Sequence, residues 1–351
     1  MPKKGVLLLN IGSPRTYQVH DVKKYLKTFL MDKDIISIPY PARWLLVHGL
    51  IVPRRAPYSA ANYQKIWMTN EGSPLTVYTD RFAKKLQAQL GEDYVVKVGM
   101  RYAEPTIEKA LREFGEMNLE TLILAPLYPQ YAEATTGSSL KEVDRLIGRL
   151  GLEVPTETVP PFFEDPTFIE PSVQMIREAL ADKKVDHYLF SFHGLPEKQI
   201  RKVQGCLQSD GCCFEKKACA KNCYRAQCYA TATRIAESLG LLDSHWSVSF
   251  QSRLGRGEWL KPATDHTLEI LAQTNKKKIA VFCPSFVTDC LETLEEIGLE
   301  GQAHFKEHGG EEYTLIPCLN DNESWTRRFA ELLTGLKIVE AESELTPFVS
   351  F

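Results

Sequence analysis

Two nearly continuous apolar runs, LeuIleLeuAlaPro at residues 122–126 and IleAlaValPheCysPro at residues 279–284, decide the fold class of this sequence. A strand with one face in water alternates apolar and polar residues, whereas a strand buried on both faces does not. Such runs are therefore typical of parallel strands covered by helices on both sides. Similar short runs alternate with helix-length amphipathic segments along almost the whole chain, which predicts an α/β protein of parallel sheets.

The alternation predicts seven strands and a larger number of helices. The predicted strands are residues 5–11, 95–100, 121–126, 187–192, 246–250, 278–282 and 313–316. The predicted helices include residues 19–30, 106–117, 138–150, 168–181, 226–239, 265–273, 289–305 and 323–333. Residues 158–166 are rich in proline, which interrupts both helices and sheets, so we place the crossover between two sheets there. We predict an N-terminal lobe of residues 1–160 plus 318–351, and a C-terminal lobe of residues 161–317 with a cysteine-rich insertion at 204–228.

Composition excludes several classes of protein. The 351 residues are 44% hydrophobic and 25% charged, with a net charge of −3. Nucleic acid is a poor partner for such a chain, because its binding requires a basic face. No apolar stretch reaches the roughly 20 residues of a membrane span, and the start has no signal peptide, so we expect a cytoplasmic protein. Nine cysteines in a large chain of this kind favour metal or redox use over disulfides.

Polar and aromatic residues follow the predicted strands at six places. Ligands bind beyond the carboxyl ends of strands in open parallel sheets, which predicts one cleft formed by these residues. The post-strand residues are 10–14, 101–102, 128–131, 193–196, 251–253 and 284–286.

The motif SerPheHisGlyLeuProGlu at residues 191–197 places His193 on a stiff turn at the end of a strand. A histidine there can accept protons or bind a metal through its neutral ring. A histidine that packs in the core or caps a helix is the alternative.

Residues 289–296, AspCysLeuGluThrLeuGluGlu, begin a predicted helix in which Asp289, Glu292 and Glu296 share one face. The line of carboxylates could conduct protons or hold a hard cation. Alternatively, acidic residues in a first turn only stabilise the helix dipole.

Two further segments have competing interpretations. ThrThrGlySerSer at residues 135–139 lacks the lysine and glycine pattern of phosphate-binding loops, so helix capping is the better interpretation. The lip segment, residues 44–55, joins an apolar run to Arg54 and Arg55. It suits contact with a membrane surface or with an apolar molecule that carries carboxylates, or else it is a buried helix with a charged end.

These motifs, in this order, resemble the ferrochelatases over nearly the whole chain. The resemblance rests on LeuLeuAsnIleGlySerPro (8–14), GluGlySerProLeu (71–75), ArgTyr (101–102), TyrProGlnTyr (128–131), ThrThrGlySerSer (135–139), SerPheHisGlyLeuPro (191–196), PheGlnSerArgLeuGly (250–255) and AspCysLeuGluThrLeuGluGlu (289–296). It implies two Rossmann-like lobes with a porphyrin bound between them, and it implies a lyase that inserts Fe²⁺ into protoporphyrin IX in heme biosynthesis. A chelatase for coproporphyrin or another divalent metal, and a non-catalytic porphyrin or iron–sulfur carrier, are the alternatives.

The resemblance also implies roles for individual residues. His193 and Glu292 match the catalytic pair, which also meets the Fe²⁺ substrate, and Asp289 and Glu296 match a proton or metal path beside it. The implied substrate-binding residues are Ile11, Arg54, Arg55, Arg101, Tyr102, Tyr131 and Trp259. The chemistry is coherent, since a free-base porphyrin must lose two pyrrole protons before a metal ion enters its plane, and this step requires a base. Independently of the resemblance, the apolar run and the two arginines of the lip segment predict reversible, peripheral contact with a membrane surface.

The cysteine-rich insertion departs from the commonest family pattern. Cluster-bearing ferrochelatases often ligate iron–sulfur clusters through a C-terminal cysteine group, but this chain has no cysteine after Cys318. Resemblance to cluster-bearing members implies that the internal segment could hold a [2Fe-2S] cluster through four thiolates. The candidate ligands are Cys206, Cys212, Cys213, Cys219 and Cys223. Zinc and inert buried thiols are the alternatives. A second difference is Cys290, which stands where some members have another histidine.

Overall fold

The computed structural model describes residues 3–181, 183–203, 206, 207, 209, 211–215, 221–253 and 257–335, although not the side chains of residues 214 and 215. Cys219 and the end of the predicted N-terminal lobe, residues 336–351, lie outside the described residues. None of the helices in the described part of the chain has the length and apolar character that crossing a membrane requires.

The first sheet has four parallel strands in the order β2-β1-β3-β4. They are β1 (Lys3–Asn10), β2 (Tyr94–Met100), β3 (Leu119–Pro126) and β4 (Thr156–Thr158). Residues 5–10 of β1 and 121–126 of β3 are nearly all buried, because helices cover both faces of the sheet.

The second sheet repeats this topology, with four parallel strands in the order β6-β5-β7-β8. They are β5 (His187–His193), β6 (Trp246–Gln251), β7 (Lys278–Phe282) and β8 (Glu312–Leu315). In each sheet the chain moves to one side of the first strand and then crosses to the other side. The strand order therefore reverses beside β1 and beside β5, where open α/β sheets bind ligands.

Helices connect and cover the strands. In chain order they are α1 (Val19–Leu30), α2 (Tyr40–Leu45), α3 (Val52–Ile66), α4 (Pro74–Leu90), α5 (Ile107–Gly115), α6 (Ser138–Leu150), α7 (Pro166–Leu180), α8 (Glu197–Ile200), α9 (Cys212–Glu215), α10 (Tyr224–Leu239), α11 (Thr264–Gln273), α12 (Gln302–Glu307) and α13 (Glu323–Gly335). Three π-helical segments, Leu46–Ile51, Glu133–Gly137 and Glu292–Gly301, lead directly into α3, α6 and α12.

The predicted α/β architecture of two helix-flanked parallel sheets is confirmed. All seven predicted strands are present, but the sequence missed β4, since its three residues adjoin the proline-rich segment. The last helix, α13, packs against both α4 and α7 through the rings of Phe82, Phe168, Trp325 and Phe329. Burial of each such ring contributes about 2–3 kcal/mol to folding. The boundary between lobes at residues 160–161 stays a prediction.

The helix predicted from Asp289 is wrong in its start and in its type. Asp289 and Cys290 precede the helix, and Glu292–Gly301 is a π-helix rather than an α-helix. A π-helix bonds residue i to i+5, so its wider turn brings residues four and five apart onto one face. The acidic line on this helix is therefore Glu292, Glu296 and Glu300, without Asp289.

Candidate active site

The end of β5 positions His193. The histidine is the last residue of the strand and is half-buried, at the point where the strand order of the second sheet reverses. Its backbone N–H donates to the Ser285 hydroxyl at 2.8 Å, and its carbonyl accepts from Tyr224 at 2.8 Å. These bonds tie the residue to the loop after β7 and to α10.

The proton on the His193 ring is placed by Gly194. Nδ1 of the ring lies 2.7 Å from the Gly194 carbonyl oxygen. Because a carbonyl only accepts, Nδ1 carries the hydrogen, and the neutral ring keeps its lone pair on Nε2. Glycine is required next to the histidine, since a Cβ there would lie 2.7 Å from the Gln251 carbonyl oxygen.

Gln251 connects the strand of His193 to the π-helix. It pairs with His193 across β5 and β6, and its buried side chain accepts from the Ser191 hydroxyl at 2.7 Å. The same side chain donates from Nε2 to the backbone carbonyl of Glu292 at 3.0 Å. One buried amide thus fixes the start of the acidic helix relative to the strand that ends in His193.

Glu292 lies beside two tyrosines. Tyr25, which donates to the Gly12 carbonyl at 3.0 Å, and the buried Tyr63 are both close enough to sense its charge. Burial raises the pKa of both tyrosines, and the negative charge of Glu292 adds to the rise. The phenols therefore stay protonated around the half-buried carboxylate.

Glu296, one turn further along, is a half-buried carboxyl that Ser252 contacts. Burial raises its pKa to about 7, although two hydrogen bonds from Ser252 oppose the rise and the charge of Glu292 adds to it. Ser252 adopts a φ of 65°, a left-handed conformation uncommon for serine, and from it donates both its backbone N–H and its hydroxyl. A carboxyl with such a pKa exchanges protons readily near neutral pH.

A cavity of about 720 Å³ continues the acidic line outward. Its lining includes Gln251, Ser252, Trp259, Glu296 and Glu300, but neither His193 nor Glu292. The cavity therefore flanks the middle and outer parts of the π-helix, where water or a cation can reach the carboxylates.

Residues from both sheets meet near His193. The Phe286 ring lies 6.1 Å from the His193 ring and packs with Ile11, Met100 and Cys290 in one apolar cluster. An apolar wall, the imidazole of His193 and the start of the acidic helix thus meet between the carboxyl ends of β1 and β5. This arrangement suits a flat apolar ligand that exchanges protons and a cation.

Comparison with known proteins identifies the family of this chain. A family model described as Ferrochelatase matches residues 3–335. A ferrochelatase of Bdellovibrio bacteriovorus is 61% identical over 336 residues, which cover 96% of this chain and 100% of that protein. A ferrochelatase of Pseudomonas fluorescens strain Pf0-1 is 44% identical, covering 95% of this chain and 98% of that one.

The chain belongs to the ferrochelatase family. The sequence-based predictions of the family and of a lyase that inserts Fe²⁺ into protoporphyrin are thereby confirmed. Among solved structures, SirB from Bacillus subtilis with Fe3+ has a TM-score of 0.55 at 10% identity, covering 95% of this chain and 94% of that one. The sirohydrochlorin chelatase SirB from Bacillus subtilis subspecies spizizenii in complex with cobalt has a TM-score of 0.52 at 10% identity, covering 95% of this chain and 94% of that one. These likenesses concern the fold, which is thus a chelatase fold.

Arg101 and Tyr102, predicted to contact porphyrin, form an internal cluster around Asp32 in this ferrochelatase fold. Asp32 accepts from the Arg101 guanidinium at 2.8 Å, from the Tyr102 hydroxyl at 2.7 Å and from the Ser138 hydroxyl at 2.6 Å. Burial disfavours the charge on Asp32, but hydrogen bonds from Ser138, Asp34 and Tyr102 lower the pKa of the carboxyl below its ordinary value. The polar groups of Arg101 and Tyr102 are thus directed toward Asp32.

The other predicted substrate residues lie at different places. Tyr131 is half-buried and donates to Glu133 at 2.8 Å. Trp259 pairs with Pro196 beside Gly194 and lines the cavity. Arg54 and Arg55 are exposed on the first turn of α3. Of these, Trp259 lies nearest to the segment that begins at His193.

The lip segment is helical throughout, formed by the end of α2, a π-helical turn and the start of α3. Val47 and Val52 are buried, whereas Trp44, Leu45 and Leu50 are 48%, 67% and 43% exposed. Further along, α3 contacts the π-helix of Glu292, since Tyr58 donates to Glu300 and Lys65 to Glu295, each at 2.7 Å. The lip is therefore attached to the acidic helix.

Asp289 is a buried connector between two loops. Its Oδ1 accepts from Thr293 at 2.9 Å, its Oδ2 accepts from the Asn320 side chain at 2.7 Å, and its own N–H donates to Asn320. Both carboxylate oxygens are thus engaged in holding the π-helix against the segment before α13.

Four candidate cluster ligands lie in the described part of the insertion. Cys206, Cys212 and Cys223 are buried and Cys213 is half-buried. A hydrogen bond from the Cys213 thiol lowers the pKa of Cys223, whose thiol also contacts Cys206. The hydrogen bond to Cys223 and burial raise the pKa of the Cys213 thiol, and the nearby Arg225 guanidinium opposes part of that rise. Cysteine thiolates are the donors that an iron–sulfur cluster requires, so the residues fit the group.

Sequence reasoning missed several residues of the site. Gln251 and Ser252 were noted only as post-strand residues, and Glu300 was not noted at all, although it lies four residues after Glu296. Tyr25, Tyr63 and Asp32 lie in helices or loops without a motif. The four-residue spacing from Glu296 to Glu300 is the signal that could have found Glu300.

Proposed function

We propose that His193 is the base that removes pyrrole protons, and that Glu292, Glu296 and Glu300 carry protons and Fe²⁺ between the porphyrin and solvent. The observation that carries the proposal is the Nδ1–Gly194 hydrogen bond, which in the neutral ring places the lone pair on Nε2 at the end of β5. Each porphyrin loses two N–H protons as four nitrogens bind Fe²⁺. His193 accepts one proton at a time, and the carboxylates pass it on.

The increase in solvent exposure from Glu292 to Glu300 supports a proton relay along the acidic line. Glu292 lies among buried tyrosines, Glu296 lines the cavity with a pKa of about 7, and Glu300 is exposed on the same helix. A carboxyl with a pKa near the working pH is protonated and deprotonated with little cost in either direction. Glu296 is therefore suited to accept a proton from the interior and release it into the cavity.

Steady-state metallation tests this assignment. Purified protein is mixed anaerobically with protoporphyrin and ferrous iron, and the heme product is followed by absorbance. We expect Glu292→Gln, which keeps the shape of the side chain, to lose turnover while porphyrin still binds. Normal turnover by Glu292→Gln would remove the residue from the path. Parallel reactions with coproporphyrin identify the preferred tetrapyrrole, and binding without turnover by the unaltered chain would indicate a carrier.

The same proposal includes reversible membrane contact by a cytoplasmic enzyme. The exposed apolar side chains of the lip, Trp44, Leu45 and Leu50, lie about one to three turns before the exposed Arg54 and Arg55. Apolar groups that enter the interface and cations that meet anionic headgroups or porphyrin carboxylates are the two components of peripheral binding. The lip could thus deliver an apolar substrate to the adjacent site.

A [2Fe-2S] cluster in the cysteine-rich insertion completes the proposal. Cys206, Cys212, Cys213 and Cys223 would hold it, with Cys219 as a further candidate. When bound, such a cluster supplies one-electron redox chemistry and a covalent connection within the segment. The residues of the segment then orient Tyr224, whose hydroxyl donates to the His193 carbonyl. Support comes from the grouping of the thiols beside Arg225.

A further inference from the structure

A cluster of histidines surrounds Glu269 on α11, outside the site described above. Three of the eight histidines in the chain take part. His308 Nε2 lies 2.9 Å from Glu269 Oε1, His304 Nε2 lies 3.9 Å from the same oxygen, and His266 Nδ1 lies 3.3 Å from Oε2. His304 and His308 are four residues apart at the end of α12, so they share a face that packs toward α11.

The hydrogen-bond directions in this cluster call for a cation. Nδ1 of His308 lies 2.8 Å from the His304 carbonyl oxygen, which only accepts, so Nδ1 carries a hydrogen. In the neutral ring the lone pair of Nε2 then faces the carboxylate oxygen of Glu269 at 2.9 Å. Two acceptors at this distance repel each other unless a cation, either a proton or a metal ion, lies between them.

The dimensions suit a metal ion. One ligand atom from each of Glu269, His304 and His308 lies within 4.8 Å of the others. Bonds of about 2.1 Å in a tetrahedral site place ligand atoms about 3.4 Å apart, so the side chains need only small movements. One of these movements releases His304 Nε2 from the Asp265 carbonyl oxygen, which lies 3.2 Å away. They are 34%, 32% and 29% exposed, which leaves room for water to complete the coordination. The His308 Nδ1–carbonyl bond also fixes the ring as a metal ligand requires.

The carboxylates around the histidine cluster favour the binding of a cation. His304 lines the cavity together with Asp265, Glu300 and Glu307. The Arg253 guanidinium pairs with Asp265 and offsets part of this charge, but the remaining carboxylates are available to attract a cation.

We propose that Glu269, His304 and His308 bind one divalent transition-metal ion beside the cavity, which His304 lines. Two imidazoles and a carboxylate suit Co²⁺, Ni²⁺, Zn²⁺ or Fe²⁺, whereas Mg²⁺ prefers oxygen ligands alone. The site shares no residue with His193 or with the acidic line of the π-helix. It is therefore a second metal position, whose existence does not depend on the proposed proton path.

Equilibrium dialysis of the full chain against Co²⁺ at pH 7.5 tests the proposal. The unaltered chain should bind one equivalent more than the His304→Ala/His308→Ala variant. Glu269→Gln, which preserves packing, should weaken that equivalent by about tenfold or more. His245→Ala, a histidine outside the cluster, should leave binding unchanged. Equal binding by the unaltered chain and both cluster variants, or equal displacement of this equivalent by Mg²⁺, would overturn the proposal.

Discussion

Ser252 donates two hydrogen bonds to Glu296, from its backbone N–H to Oε1 at 2.7 Å and from its hydroxyl to Oε2 at 2.5 Å. Two donors normally stabilise a carboxylate, yet burial outweighs them and raises the pKa of Glu296 to about 7. The folded protein therefore binds a proton at Glu296 over a pH range in which the unfolded chain has released it. Folding stability must depend on pH through this residue.

Glu296→Gln is expected to remove that pH dependence. The unaltered protein carries no penalty below pH 4.5, loses stability as the pH rises from 4.5 to 7, and carries the full cost above pH 7. The shift corresponds to about 3 kcal/mol at most. Glutamine mimics the protonated acid, so the variant should be more stable than the parent at pH 8 and similar at pH 4.5.

Urea unfolding at pH 4.5, 6, 7 and 8 measures this effect. Glu153→Gln, which alters an exposed glutamate after α6, is the matched control and should follow the parent at every pH. If the unfolding free energies of Glu296→Gln and the parent differ by the same amount at every pH, the carboxyl is charged throughout and the relay role for Glu296 fails.

His193→Ala should leave a folded, porphyrin-binding protein with metallation reduced by at least about 10²-fold, the usual contribution of a general base. The ring contributes a proton acceptor and little of the core, because the residue is half-buried at a strand end. Initial rates of heme formation and thermal unfolding check both parts. His245→Ala is the control with unchanged turnover, and a His193→Ala enzyme with near-normal rates would refute the assignment.

The fold was largely predictable because apolar periodicity is a local signal. The apolar runs that form β3 and β7 are buried on both faces, and their nearly continuous apolar composition indicates this burial. The position of His193 at the end of β5 was predictable for the same reason, since the strand, the histidine and the required glycine are consecutive. In contrast, β4 has three residues and little apolar character, so no periodicity could be read from it.

The rest of the site depends on contacts between distant segments. Asp32 meets Arg101 and Ser138 across 69 and 106 residues, and Gln251 meets Glu292 across 41. The π-helical geometry of Glu292–Gly301 likewise could not be read from the sequence pattern. These relationships follow from tertiary packing, which a single sequence does not record.

Asp32→Asn is expected to destabilise the fold by about 3 kcal/mol, because it leaves the Arg101 guanidinium without its charged partner in a largely buried place. The lowered pKa of Asp32 means that its contribution is present near neutral pH and is lost as the pH falls through the folded-state pKa. Urea unfolding at pH 7 measures the cost. Asp80→Asn breaks the exposed pair with Lys84 and should cost under about 1 kcal/mol. Equal, small costs for both variants would contradict a structural role for the Asp32 cluster.

Replacing Trp44, Leu45 and Leu50 together by serine should abolish flotation with anionic vesicles, because it removes the exposed apolar side chains of the lip. Leu242→Ser alters an equally exposed leucine elsewhere, 67% exposed like Leu45, and should float as the parent does. Failure of the unaltered protein to float at low salt would limit the lip to contact with substrate.

Cys223→Ser should remove the proposed cluster, together with its iron, its acid-labile sulfide and the red-brown colour of the anaerobically purified protein. The Cys223 thiol is the one that contacts both Cys213 and Cys206, so its loss disconnects the candidate ligands. Because metal binding contributes to folding, the thermal stability of the variant should fall. Its activity is therefore compared with that of the parent at equal folded fractions. Cys228→Ala is the control: this thiol is fully buried within α10 and should not be required for iron binding. One equivalent of zinc in the unaltered protein, or no metal with titratable thiols, would refute the cluster and leave the chelatase assignment intact.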